Sequence, residues 1–255
     1  MWDCPNFLEL PERDQKPRSR GLTHVLDKGM TTAALEALLA QAGHLIDVIK
    51  IGWGIAYIDP TVKHRVALCS EAGVLVTLGG TLLEICVAQG RVDELCEWAA
   101  SVGIGAVEVS DGLEAMTSER KTELVGQLSA RLTVFAETGA KDDHAPVVTE
   151  EWLAEMATDL DAGASWVVAE DRESGTVGLY HGDGSVRADL VDAIAERIPV
   201  DRVIFEAPRK SQQAWFVKRF GAGVNLGNVP PEEVLALETL RLGLRADTAL
   251  AGVRV

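Results

Sequence analysis

The stretch from Leu22 to Ile51, LTHVLDKGMTTAALEALLAQAGHLIDVIKI, decides the fold. It opens on an apolar run, Leu22–Leu26, that stops abruptly at Asp27-Lys28. Thr31 or Thr32 then offers a helix N-cap. Leu35, Leu38, Leu39 and Ala42 follow at i, i+3, i+4 and i+7, the spacing of one buried helix face, and Gly43 is a good stop. A second apolar run, Ile46–Ile51, comes next. Strand, helix and strand within about 30 residues make a βαβ unit, whose two strands lie parallel in one sheet.

The unit repeats along the chain. Apolar runs close on Asp27-Lys28, Lys50, Gly79-Gly80-Thr81, Glu108 with Ser110-Asp111, Glu137, Glu170 with Arg172, Glu206, and Asn225 with Gly227-Asn228. The later strands are expected at Val74–Leu78, Ala106–Val109, Leu132–Ala136, Ser165–Ala169, Arg202–Phe205 and near Val224–Leu226. A helix is expected over Thr149–Leu160, ended by Gly163, and Pro230-Pro231 open a last helix. Eight such repeats in 255 residues predict one α/β domain, a (β/α)8 TIM barrel over residues 21–255. Residues 1–20, with Pro5, Pro11, Pro17 and many charges, read as a short N-terminal extension. In such barrels the strand C-termini build the active site, so the polar run ends converge on one mouth and point to an enzyme.

Alternation says which of them face inward. Val48, Lys50 and Gly52 share one face of the second strand, opposite Ile49, Ile51 and Trp53. The layer under the helices should be the continuously apolar one, so Lys50 points into the barrel. The same parity turns Glu108, Ser110, Glu137, Glu170 and Glu206 inward. Charges buried at this density are costly unless paired or bound to a ligand.

Composition narrows the partners. A net charge of −15 argues against nucleic acid and anionic membranes, while a local cluster of Lys and Arg still allows a small anionic substrate. No apolar run reaches the length of a membrane span, and the N-terminus, with Asp3, Glu9, Glu12, Arg13 and Asp14, lacks the apolar core of a signal peptide. A cytoplasmic protein is expected, and an acidic surface does not forbid a homo-oligomer. Cys4, Cys69, Cys86 and Cys96 form no CxxC pair and read as small buried hydrophobes. The five histidines show no metal-ligand spacing. His24 reads as a packed core residue, and only His144 sits where it invites a test.

The inward acids are read as Asp27, Glu108, Glu137, Glu170 and Glu206, and the nearby bases as Lys28, Lys50, Lys141, Arg172 and Arg209. An all-oxygen set suits Mg²⁺, which takes one or two carboxylates and fills its shell with substrate oxygens and water. The bland alternative is a ring of salt bridges at the mouth. Gly221–Pro231, GAGVNLGNVPP, suggests a phosphate site. Asn225, Gly227 and Asn228 precede a helix start where these barrels often bind phosphate, although a tight glycine turn explains the same letters.

These motifs in order resemble one known family. LDKG (26–29), IKIGWG (49–54), GGTLLEI (79–85), VEVSDG (107–112), ETGAKD (137–142), ESG (173–175), FEAPRKSQQ (205–213), VNLGNVPPEEV (224–234) and LETLRLGLRADT (237–248) are similar to phosphosulfolactate synthase. The likeness runs from about residue 20 to residue 248. The first 20 residues and the 142–148 loop match nothing. The resemblance implies a Mg²⁺-dependent addition of sulfite to phosphoenolpyruvate through an enediolate, giving (2R)-3-sulfolactate 2-phosphate. It places Lys141 as the catalytic lysine with Glu137 beside it. Glu108, Glu137, Glu170, Glu206 and Asp27 are the candidate metal holders, and Lys28, Lys50, Arg172, Arg209, Asn225, Gly227 and Asn228 the candidate substrate contacts. In methanogens this reaction begins coenzyme M synthesis, while some relatives serve sulfolactate or stress. Two other readings stay open: a related barrel adding a different nucleophile to an enol phosphate, and a non-catalytic stress-associated relative. The first would show as no product from sulfite and phosphoenolpyruvate alone, and the second as decay of the mouth residues.

Overall fold

The computed structural model describes residues 5, 7–113, 116–139, 148–170 and 178–249. Its centre is a closed barrel of eight parallel strands, each paired with its neighbours in sequence and β8 closing on β1. The strands are β1 (Thr23–Asp27), β2 (Val48–Ile51), β3 (Leu75–Leu78), β4 (Ala106–Val109), β5 (Thr133–Thr138), β6 (Trp166–Ala169), β7 (Val203–Glu206) and β8 (Asn225–Val229). Around them lie α1 (Thr32–Ala42), α2 (Ile55–Ile58), α3 (Val62–Glu71), α4 (Gly80–Ala88), α5 (Val92–Val102), α6 (Ser118–Ser129), α7 (Thr149–Ala162), α8 (Ala188–Arg197), α9 (Lys210–Phe220) and α10 (Val234–Arg241). The TIM barrel expected from the repeat is the fold. Thr31 caps α1 by accepting the Ala34 N–H, and α7 ends at Gly163 with φ 116°, a left-handed stop that glycine adopts without strain. The last run departs from expectation. β8 extends to Val229, so Gly227 and Asn228 lie in the strand, and the chain turns only at Pro230.

Two apolar layers hold the barrel. Val25, Ile49, Val76, Val107, Val134, Val167, Val203 and Leu226 face outward into the large core under the helices. Leu22, Val48, Ala106, Phe135, Val168 and Ile204 face inward as a separate cluster. Two residues further along those same strands stand His24, Lys50, Glu108, Glu137, Glu170 and Glu206. A strand's period of two therefore makes the inner apolar cluster the floor on which the polar set rests.

Below this floor the structure is clamped by cations. The buried Arg241 guanidinium donates to the carbonyls of Leu22, Ala222 and Val224. From the N-terminal extension, Lys16 Nζ donates to the carbonyls of Gly43, Ile46 and Ala72, Arg13 pairs with Glu238 at 2.9 Å, and Arg18 pairs with Asp47 at 3.1 Å. These side chains take carbonyls at loops entering the strands, so the extension closes the end of the barrel opposite the mouth. Among the described residues no helix is long and apolar enough to cross a membrane.

Candidate active site

The polar set converges on one ammonium. Lys50 Nζ lies 3.0 Å from Glu108 Oε1, 3.3 Å from Glu137 Oε1 and 3.0 Å from Glu206 Oε1, all buried inside the barrel. Burial alone would lower the lysine's pKa. The attraction of Glu108, Glu206 and Glu137 outweighs it and holds Lys50 charged, well above its ordinary range. Burial and the neighbouring Glu137 push Glu108 well above the carboxylate range. Burial would raise Glu137 too, but Lys50 wins there and holds it low. Two carboxyls over one cation are thus pushed in opposite directions by environment alone.

His24 completes the cluster from below. Its ring stacks on Phe135 with centroids 5.7 Å apart, and Nε2 lies 3.6 Å from Glu108 Oε1. Neither ring nitrogen has a hydrogen-bond partner. Burial, followed by the Lys50 charge, holds its pKa well below the usual value. The imidazole is therefore neutral in the fold and charged in the unfolded chain below about pH 6.5. The unfolded state binds the extra proton, so this contribution to stability is lost as pH falls through about 6.5. Glu108, raised in the same fold, acts in the opposite sense, so the expected result is a difference: between pH 7 and pH 5.5 His24→Leu should lose less thermal midpoint, or gain more, than the parent. An unchanged slope in the variant would assign the acid sensitivity to other groups.

Gly227 faces His24 across the same interior. A Cβ there would stand 2.9 Å from Ile204 Cγ2 and 3.2 Å from His24 Nδ1, tighter than ordinary packing allows. Gly227→Ala should therefore cost about 1–3 kcal/mol through overpacking, read as a shift in the denaturant midpoint. A neutral substitution would show that the interior has room to yield.

Several expected contacts are re-sited. Asp27 shares the outward parity of Val25, not the inward parity of His24. Its Oδ1 accepts the N–H groups of Gly29 and Met30, and its Oδ2 takes Arg65 from α3. It anchors the β1–α1 turn instead of offering itself to a metal. Asn225 opens β8 at the far end from the mouth. There its amide accepts the Leu22 N–H and donates to the carbonyls of Asp201 and Val203. It is a structural bridge and not a substrate contact. The phosphate cradle after β8 also changes. Pro230 and Pro231 carry no N–H, and the short 3-10 turn Pro231–Glu233 brings Glu232 and Glu233 with it.

Other candidates stand where the repeat puts them. Lys28 and Asn228 line a cleft of about 720 Å³ that runs from the loops after β1 and β8 down between α1 and α10, with Pro208 on its wall. Arg209, the next residue, is the N-cap of α9, where helix N–H groups favour an anion. Glu170 follows β6 directly, with its side chain against Gly139 after β5. Lys141, Arg172 and His144 lie outside the described residues.

Some buried charged side chains near the site escaped the sequence reading because they sit on helices. Glu84 in α4 is buried and accepts from Ser110 Oγ and the Leu113 N–H, tying the loop after β4 to the helix after β3. Lys121 in α6 is buried and donates to the Glu137 carbonyl, with Glu155 and Asp159 around its ammonium. A single acid inside the apolar run GTLLEICVA was the one legible signal. Lys121 and Arg65 stand in polar helices where nothing marked them.

The fit of a divalent ion can be tested on this geometry. The donors are all oxygen, and Glu108 Oε1 has no well-formed hydrogen bond. Three carboxyls also face a single ammonium. Yet their convergence point belongs to Lys50, and among the described residues no three acid, His or Cys side chains are set to ligate one ion. The arrangement fits Mg²⁺ held by one or two carboxylates with substrate oxygens completing the shell, and not an all-protein cage.

Comparison with known proteins agrees with this architecture. The family described as (2R)-phospho-3-sulfolactate synthase (ComA) matches residues 11–247. The chain is 41% identical over 244 residues to a phosphosulfolactate synthase of Methanothermobacter thermautotrophicus, covering 93% of this chain and 95% of that one. It is 38% identical over 244 residues to a phosphosulfolactate synthase of Bacillus subtilis, covering 94% and 97%. Among solved structures, the YdjI aldolase from Escherichia coli superposes with a TM-score of 0.57 at 14% identity, over 86% of this chain and 78% of that one, a likeness of fold alone. With the match spanning every strand of the barrel, the chain is an enzyme and belongs to the phosphosulfolactate synthase family.

Proposed function

We propose that this enzyme adds sulfite to phosphoenolpyruvate and releases (2R)-3-sulfolactate 2-phosphate. The observation that carries the reading is the polar layer of a family member kept whole, with Lys50 fixed at the barrel centre by Glu108, Glu137 and Glu206. In the proposed step the sulfur lone pair of sulfite forms a bond to C3. The C2–C3 π pair moves onto the carboxylate as an enediolate, and a proton is then delivered to C2. No group leaves, and phosphate stays on the C2 oxygen.

The residues divide this work. Two anions must meet, so cations have to gather them at an acidic protein's mouth. Lys28 in the cleft and Arg209, the residue after its wall residue Pro208, take the phosphate. Lys50 faces the growing charge of the substrate carboxylate without reorganising, because three acids already hold it. Lys141, two residues past Gly139, delivers the proton to C2 as general acid. Glu170 and the second oxygen of Glu137 would hold Mg²⁺, whose chemistry when bound is Lewis-acid stabilisation of the enediolate.

The metal is tested by removal. Turnover with sulfite and phosphoenolpyruvate should vanish in EDTA and return with Mg²⁺ or Mn²⁺. Full turnover in metal-free enzyme would exclude the metal from the reaction and leave Lys50 and Lys141 as the electrophilic groups.

A further inference from the structure

The proposed mechanism leaves Trp53 unused, yet the backbone treats it unusually. Among the described residues only Trp53 and Asn228 are non-glycine residues with positive φ, each at 51°. Side chains avoid this region because the Cβ crowds the carbonyl, and for a bulky residue it is a true outlier that surrounding structure must enforce. Trp53 stands between Gly52 and Gly54, either of which could take a left-handed turn without strain. The chain gives the strained place to the largest side chain instead.

Its backbone lies at the mouth, in a left-handed turn where the strand alternation that pairs Trp53 with Ile51 no longer holds. β2 carries Lys50 inward and ends at Ile51, and Trp53 belongs to the turn immediately beyond. The backbone there is tightly packed. A Cβ on Gly79 would stand 3.0 Å from the Trp53 nitrogen. A Cβ on the next residue, Gly80, would run into Ser110 Oγ and come within 3.5 Å of Glu137 Oε2. Two glycines thus press the Trp53 turn against the start of α4, and that start against the acid layer. The residue remains 42% exposed, so it is not core packing that requires an indole there.

We infer that Trp53 is a substrate-facing cover of the active site, held upright over the mouth by its left-handed backbone to exclude water from the bound anions. This rests on the proposed sulfite and phosphoenolpyruvate chemistry. Excluding water lowers the local dielectric and strengthens the attraction between Lys50 and the developing enediolate. An aromatic surface does this at small entropic expense, with two side-chain torsions to fix.

The test separates cover from scaffold. Trp53→Gly relieves the backbone strain, so the thermal midpoint should hold or rise, while kcat/KM for sulfite addition falls by about tenfold or more. Trp53→Phe keeps an apolar cover and should stay within about threefold of the parent. Phosphoenolpyruvate is expected to change tryptophan emission in the parent, and Trp53→Phe to lose that change. Three results would overturn the inference: Trp53→Gly with parental kcat/KM, Trp53→Gly that fails to fold or loses midpoint and turnover together, or an emission change that persists in Trp53→Phe. A parent that turns over nothing would instead count against the substrates proposed above.

Discussion

Lys50→Met is expected to abolish turnover and to destabilise the barrel strongly. The substitution preserves the length of the stem and removes the one charge on which Glu108, Glu137 and Glu206 converge. Breaking a buried ion pair by deleting one partner leaves uncompensated charge and costs about 3–5 kcal/mol. For a chain of this size that corresponds to a fall in thermal midpoint of about 6–20 °C. The sign with pH is set by the acids. Without Lys50 their folded pKa values rise, so the folded state takes up protons more readily than the unfolded one above about pH 4.5, and the variant should regain stability as pH is lowered toward 5. A variant with the parental midpoint would mean that the three carboxyls do not depend on Lys50, and the electrostatic account of the site would have to be redrawn.

Lys141→Ala should remove turnover with little change in stability. Lys141 follows β5 in the segment ETGAKD, the position that the family resemblance gives to the proton donor. Loss of a general acid typically lowers the rate by about 10²–10⁴-fold. Phosphoenolpyruvate binding should be nearly unaffected if the lysine acts on C2 alone, so the loss should fall on kcat and not on KM. Turnover within a few-fold of the parent would remove Lys141 from the proton transfer. A raised KM with unchanged kcat would make it an anchor for substrate charge.

The fold was legible because its signal is repeated and local. Each strand is a short apolar run, each run stops at a polar residue, and parity alone set Lys50, Glu108, Glu137 and Glu206 inward, where the structure buries them. What parity could not supply was partnership. It grouped Lys50 with the acids but gave no hint that one lysine would sit at the meeting point of three. Asp27 was misplaced because it was read as a run end and not by its own alternation with Val25. Arg65 lies 38 residues away on α3, so its claim on Asp27 is a tertiary fact. The end of β8 was misjudged for a different reason. Glycine, asparagine and proline letters describe a turn equally well before or after a strand end. The three extra residues of β8 moved Gly227 and Asn228 from loop to strand. His24 was correctly read as packed, but its place under Glu108 depends on the barrel's closure between β1 and β8.

The central claim is that a mouth built around Lys50 joins sulfite to phosphoenolpyruvate. The most direct measurement is incubation of the purified protein with sulfite, phosphoenolpyruvate and Mg²⁺, followed by mass spectrometry of the products. The account predicts a new ion at the mass of phosphoenolpyruvate plus sulfurous acid, formed only when all three are present and absent with Lys50→Met. Phosphoenolpyruvate recovered unchanged by active-folded protein, or a product lacking sulfur, would contradict it.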